Sequence, residues 1–307
     1  MKDYAVKLNH ITKTYGKKKV IEDISINVRM GDIYGLIGKN GAGKTTILKL
    51  ISGLIRQNSG SMEILGEVTE HGLNRARKRT GSLVENSYLY PYFDGEKNLE
   101  CYRIQKGLKD KKVVEETLKL VGLYDVNKKK FSKYSLGMKQ RLGIAQAIMG
   151  RPDLLILDEP INGVDPTGIV ELRELLLKIN RELGTTIILS SHILNELSMI
   201  ANRYAFIHDG TLIEEVSKEE LDEKCRRYLK LKVNDAKKTT VILEKELDIL
   251  HYKVLNNNEI EIYEELNNLN LITKILIENN VEIKSINEGT QTLEEYFIKL
   301  IGGHINA

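Results

Sequence analysis

No stretch of this chain holds the roughly 20 consecutive apolar residues that a membrane-spanning helix requires. Its longest apolar runs, such as Leu154 to Leu157 and Ile187 to Leu189, have only the length of a strand. Any membrane role is therefore expected to pass through another chain. Cysteine is scarce. Cys101 and Cys225 lie far apart, and neither has a Cys or His neighbour at metal-ligand spacing. They read as two reduced thiols in a cytosolic protein rather than a disulfide framework or a zinc module. Met1 to His10 is polar and alternating, so no signal peptide is expected to open the chain. Clustered charge of one sign is missing too: the formal net charge is +3 over 307 residues. The short basic runs Lys17–Lys19 and Lys128–Lys130 have no aromatic platform beside them and read as solvated turns. A nucleic-acid partner is not expected.

What is there is the composition of a folded protein, 41% hydrophobic and 29% charged, in a chain long enough for more than one compact unit. Ile24, Ile26 and Val28 alternate with polar residues, as in a half-buried strand. After a turn at Gly31-Asp32, Ile33 to Ile37 reads as a short buried strand running into a glycine-rich segment. Thr45 to Ser52 continues as a helix, with Gly53 as its stop. From about 86 to 150 the chain turns rich in Lys, Glu and Leu at helical spacing, with Val113, Leu118, Leu120 and Val121 on one stripe. This is expected to be a helical subdomain inserted in a larger domain of residues 1–225. Two apolar strands, Leu154 to Leu157 and Thr186 to Ser190, flank a helix from Gly168 to Leu183. Strand-helix-strand implies a parallel sheet. Residues 226–307 read as a smaller α+β domain of order β-α-β-β-α-β, the ferredoxin-like split βαβ, with a turn at Asn256-Asn257-Asn258 and a last helix over Leu293 to Ile301.

Chemistry concentrates in two places. Gly38-Lys39-Asn40-Gly41-Ala42-Gly43-Lys44-Thr45 matches the P-loop pattern in full. The glycines let backbone N–H groups converge on phosphate oxygens, and the helix that follows adds its positive end. Lys44 is placed for the β and γ phosphates, Thr45 offers a hydroxyl to Mg²⁺, and Thr46 completes the phosphate-binding set. The second place is the strand Leu154 to Leu157, which ends in Asp158 and Glu159. Two acids at a strand end could cap a helix. Downstream of a P-loop, Asp158 reads as the Mg²⁺ carboxylate and Glu159 as the base for an attacking water. His192 follows the next strand, where a γ-phosphate contact is plausible on position.

These pieces together resemble the ABC ATPase family. Tyr134-Ser135-Leu136-Gly137-Met138-Lys139-Gln140-Arg141 is similar to its signature segment, with Leu136 in place of the first glycine and Met138 in place of glutamine. The resemblance covers roughly the first 215 residues. It implies a P-loop NTPase core, ATP with Mg²⁺ as cofactors, and a head-to-tail homodimer. In that dimer Ser135 and Gly137 of one copy would face the γ-phosphate held by the other. It implies that Tyr15 stacks on adenine, although strand-end packing is the alternative from the residue alone. It also implies that Asn162-Gly163-Val164-Asp165 links the two ATP sites, that His192 is the switch histidine, and that an integral-membrane permease is the partner.

One position departs from the usual pattern. The family places glutamine after the strand Gly81 to Val84, and Glu85 stands there. Glutamate at this point resembles transporters that export bacitracin or lantibiotics. A carboxylate there could ligate Mg²⁺ and pair with a basic group on the permease, next to Tyr88, Tyr90 and Tyr92; local packing is the alternative for those tyrosines. The tail from Gly289 to Gly303 is similar to that of bacitracin-transport ATP-binding proteins, or is simply a packing helix with Leu293, Tyr296, Phe297 and Leu300 on one face. The expected protein is a peripheral subunit on the cytoplasmic face of a bacterial membrane, powering export of a peptide antibiotic. The ATPase of another exporter, or a nutrient importer whose C-terminal domain is regulatory, is the alternative. ATPases of this family that act on ribosomes carry two motif sets, and those that act on DNA carry long coiled coils or zinc modules; this chain has one set and neither addition.

Overall fold

The computed structural model describes residues 3–85, 89–225, 227–255, 258–264, 266, 268–290 and 292–305. Tyr88 and the Asn256-Asn257 part of the expected turn lie outside them. The chain divides into two compact units, Met1–Lys218 and Glu219–Ala307. The first runs β1 (Tyr4–Tyr15), β2 (Lys18–Arg29), β3 (Ile33–Ile37), α1 (Lys44–Ser52), β4 (Ser59–Ile64), α2 (Glu70–Lys78), β5 (Thr80–Leu83), α3 (Gly95–Gln105), α4 (Lys112–Leu120) and α5 (Leu136–Ile148). It continues with β6 (Leu154–Leu157), α6 (Pro166–Leu183), β7 (Thr186–Ser191), α7 (Leu194–Ser198), β8 (Arg203–His208) and β9 (Thr211–Ser217).

Its strands form two sheets. One has the order β5-β6-β7-β3-β8-β9, and all of its neighbours are parallel except β8 with β9. The central strands β3, β6 and β7 are buried at every position, which is why they read as unbroken apolar runs. Each fully buried Leu or Ile there contributes about 1.5–3 kcal/mol. The second sheet is antiparallel, with the order β2-β1-β4. The alternation of Ile24, Ile26 and Val28 belongs to it, and all three are buried. The segment from Gly95 to Ile148 is helical, built from α3, α4 and α5. On α4 the buried residues are Val114, Thr117 and Leu118, and Val121 at its end is buried too; of the expected stripe Leu118 and Val121 are buried, whereas Val113 and Leu120 are half-buried. Helix α6 starts two positions before Gly168, because Asp165 caps it and Pro166 occupies its first turn.

The second unit runs α8 (Lys218–Lys224), β10 (Arg227–Val233), α9 (Ala236–Glu246), β11 (Tyr252–Val254), β12 (Glu259–Ile262), α10 (Leu269–Glu278), β13 (Ile283–Thr290) and α11 (Leu293–Ile305). Its antiparallel sheet has the order β11-β12-β10-β13, the split βαβ arrangement. The core holds Leu229, Leu231 and Val233 with Ile260, Ile262, Ile272 and Leu276. The division falls earlier than the expected step between 225 and 226. Lys218 N–H still bonds Asn202 O in the first unit, whereas Lys224 Nζ already bonds Tyr296 Oη in the second. Among the described residues no helix is long and apolar enough to cross a membrane.

Candidate nucleotide site

Parallel strands gather their carboxyl ends, and the loops there carry the chemistry. Strand β3 delivers the segment Gly38 to Gly43. Gly43 has φ 110°, and a Cβ on it would lie 2.6 Å from Ile21 Cδ1, so only glycine fits. It leads into α1, whose N-terminus has no side-chain cap. The first N–H groups of that helix are left for an anion. Lys44 is 5% exposed. Its ammonium donates to Gly38 O at 2.6 Å and Lys39 O at 3.3 Å, and pairs with Glu159 Oε1 at 3.3 Å.

The two acids after β6 are held differently. Asp158 N–H donates to Leu83 O at 2.9 Å, which ties the end of β6 to that of β5. Asp158 Oδ1 accepts from Thr45 Oγ1 at 3.1 Å and from Ser190 Oγ at 2.7 Å. Glu159 sits in the left-handed region at φ 47°, and its N–H donates to Ser190 Oγ at 2.9 Å. That turn sends its carboxylate the other way, with Oε1 on Lys44 and Oε2 at 2.7 Å from His192 Nδ1. The structure therefore brings Lys44, Thr45, Asp158, Glu159 and His192 together. Thr45 and Asp158 offer a hydroxyl and a carboxylate oxygen, which suits a hard divalent cation. Among the described residues no cluster of three His, Cys, Asp or Glu could hold a metal unaided. Phosphate oxygens and waters would complete the shell.

The remaining expected residues fall into separate places. Ser135 is the N-cap of α5, with Oγ accepting from Met138 N–H at 3.3 Å. A Cβ on Gly137 would lie 3.3 Å from Val164 Cγ1, so the loop Asn162 to Asp165 packs on the start of α5. Asp165 caps α6 by accepting from Gly168 N–H at 3.4 Å. Tyr15 ends β1 with its side chain half exposed, and Lys13 Nζ lies 5.0 Å from its ring centroid. Glu85, at φ 68°, pairs with Lys49 Nζ at 2.5 Å. The sequence alone singles out neither Lys49 nor Ser190. The signal for Ser190 was a pair of serines at the end of a strand buried throughout. Nothing in the sequence marked Lys49.

Residues 21–162 match the ABC transporter family. The chain is 41% identical over 298 residues to the bacitracin transport ATP-binding protein BcrA of Bacillus licheniformis, covering 97% of each chain. The chain belongs to the ABC transporter ATP-binding proteins. The uncharacterized ABC transporter ATP-binding protein YcbN of Bacillus subtilis is 42% identical over 301 residues, covering 98% of each. The lantibiotic transport ATP-binding protein SrtF of Streptococcus pyogenes is 40% identical over 210 residues, covering 68% of this chain and 90% of that one. Among solved structures, the dimeric post-hydrolysis state of the ATP-binding cassette MJ0796 bound to ADP and Pi has a TM-score of 0.63 at 25% identity, covering 69% of this chain and 98% of that one. This ABC transporter subunit is thus an ATPase, and the cluster around Lys44 and Glu159 is its candidate phosphate site.

Proposed function

We propose that this ATPase powers export of a peptide antibiotic of the bacitracin or lantibiotic kind through a separate membrane permease, protecting the host cell. Two similarities support the cargo class. The bacitracin-transport relative is similar along nearly the whole chain, C-terminal unit included. The lantibiotic-transport relative covers 68% of it. The subunit then works at the cytoplasmic face of a bacterial membrane, held there by the permease.

The observation that carries the mechanism is the shared grip on Glu159, with Lys44 on one carboxylate oxygen and His192 on the other. Incoming ATP phosphates compete for the Lys44 ammonium and draw it off Glu159. The released oxygen accepts the proton of the attacking water, while His192 keeps the carboxylate aimed. Mg²⁺ held by Thr45 and Asp158 would neutralise triphosphate charge. Tyr15 stacks on adenine. A second copy, packed head to tail, brings its Ser135 hydroxyl and Gly137 N–H to the γ-phosphate as a helix-start anion site. Asp165, in the loop packed on that helix start, carries the state of one site to the other. Tyr90 and Tyr92, both well exposed, lie in the segment after Glu85 that faces the permease.

The test uses Glu159→Gln. The purified variant binds Mg-ATP with near-unchanged affinity, is trapped by it as a dimer in size-exclusion chromatography, and hydrolyses it about 10²–10⁴ times more slowly. In cells carrying the chain and its permease, the variant removes tolerance to bacitracin. Near-normal turnover would reject Glu159 as the base. Equal antibiotic tolerance with and without the wild-type pair would reject the cargo.

A further inference from the structure

Helix α1 makes two ties to the sheet, one turn apart. At Thr45 the hydroxyl holds Asp158, at the end of β6. At Lys49, four residues on and therefore on the same face, the ammonium holds Glu85, beyond the end of β5. Strands β5 and β6 are parallel neighbours with Leu83 opposite Leu157, and Asp158 N–H bonds Leu83 O. The Lys49–Glu85 pair is thus a second rung beside the first, on the helix that starts at Lys44.

We propose that Lys49 is a positioning residue that allows a carboxylate to stand beside the phosphate site, by neutralising Glu85 and keeping it on α1. Two observations support this. The Lys49 side chain is three-quarters covered, at 25% exposure, although its head is charged. Glu85 takes the left-handed backbone region to meet it, at φ 68°. A glutamine at position 85 would be neutral and would need no such partner. A glutamate left without Lys49 adds a negative charge where a triphosphate must settle, and offers Mg²⁺ a competing ligand.

The inference rests on the assignment of the phosphate site above, but its experiment separates the two. ATP affinity is measured by fluorescent-nucleotide binding, with no turnover, in EDTA and in excess Mg²⁺. The variants are Lys49→Met, Glu85→Gln, the double variant and Lys49→Arg, each first checked by thermal melting. Lys49→Met weakens metal-free ATP binding about tenfold, and the double variant restores it to within about threefold, because the unpaired carboxylate is gone. Lys49→Arg keeps the charge and binds as wild type. Equal affinity in wild type and Lys49→Met would overturn the proposal. So would a loss in Lys49→Met that persists in the double variant, which would mark Lys49 as a packing residue only. Wild-type chain that binds no ATP would instead overturn the phosphate site itself.

Discussion

At Ser190 one hydroxyl serves both acids, donating to Asp158 Oδ1 and accepting from Glu159 N–H. It holds the Asp158 carboxylate and the Glu159 backbone in place, so in the proposed mechanism it would set which acid meets metal and which meets water. Ser190→Ala leaves a partly buried backbone N–H and a carboxylate oxygen each short of a partner, at a cost of about 1 kcal/mol. We expect a lower urea midpoint and a turnover number reduced about tenfold, with ATP affinity changed little, since Lys44 and the loop N–H groups remain. Unchanged turnover would show that Thr45 suffices to hold Asp158. The residue scale also explains why Glu85 differs in kind from Asp158. Both are acids after neighbouring strands, yet one is paired with a lysine and the other with two hydroxyls.

Helix starts decide the element scale. Ser135 caps α5 and Asp165 caps α6, and Gly137 lets the loop before α6 lie against α5. Capping and the proposed phosphate contact are separable roles for Ser135. Asp is as good an N-cap as Ser, whereas Ala loses about 1 kcal/mol. Ser135→Asp should therefore melt within about 2 °C of wild type, yet hydrolyse little, because its carboxylate repels a γ-phosphate. Ser135→Ala should lose both stability and turnover. If Ser135→Asp hydrolysed ATP normally, the role of Ser135 would end at capping. Arg141, further along α5, is 15% exposed and pairs with Glu171 of α6 at 3.1 Å, so the helix whose start is proposed as an anion site is clasped to α6.

At the scale of the whole molecule, two units have separate cores, and every expected nucleotide contact lies in Met1–Lys218. ATP at 100 times its Kd adds about 2.7 kcal/mol to that unit, which raises its melting temperature by roughly 5–10 °C. Scanning calorimetry of the full chain with and without Mg-ATP checks this. A fragment of residues 219–307 should unfold cooperatively and ignore ATP. A fragment that never folds would show that its core of Leu229, Leu231, Ile260 and Leu276 is insufficient alone. The second sheet, β2-β1-β4, also emerges only at this scale. Its strands are paired across distant segments, Val6 with Ile64 for example, and no local pattern announces such pairing.

The phosphate loop and the acid pair were legible because each is a local grammar. Glycine spacing, a lysine and a helix start must be contiguous to cradle an anion, and an apolar strand ending in Asp158-Glu159 is contiguous as well. The ferredoxin-like order after residue 226 was legible for the same reason, through alternation and helical spacing along neighbouring segments. What only tertiary structure decided were the partners of those groups: Glu159 against Lys44 and His192, Ser190 between two acids, Glu85 on Lys49. Such pairs join strand ends and helices remote in sequence. Electrostatic and hydrogen-bond energies depend on distance through space, which the order of residues along the chain does not contain.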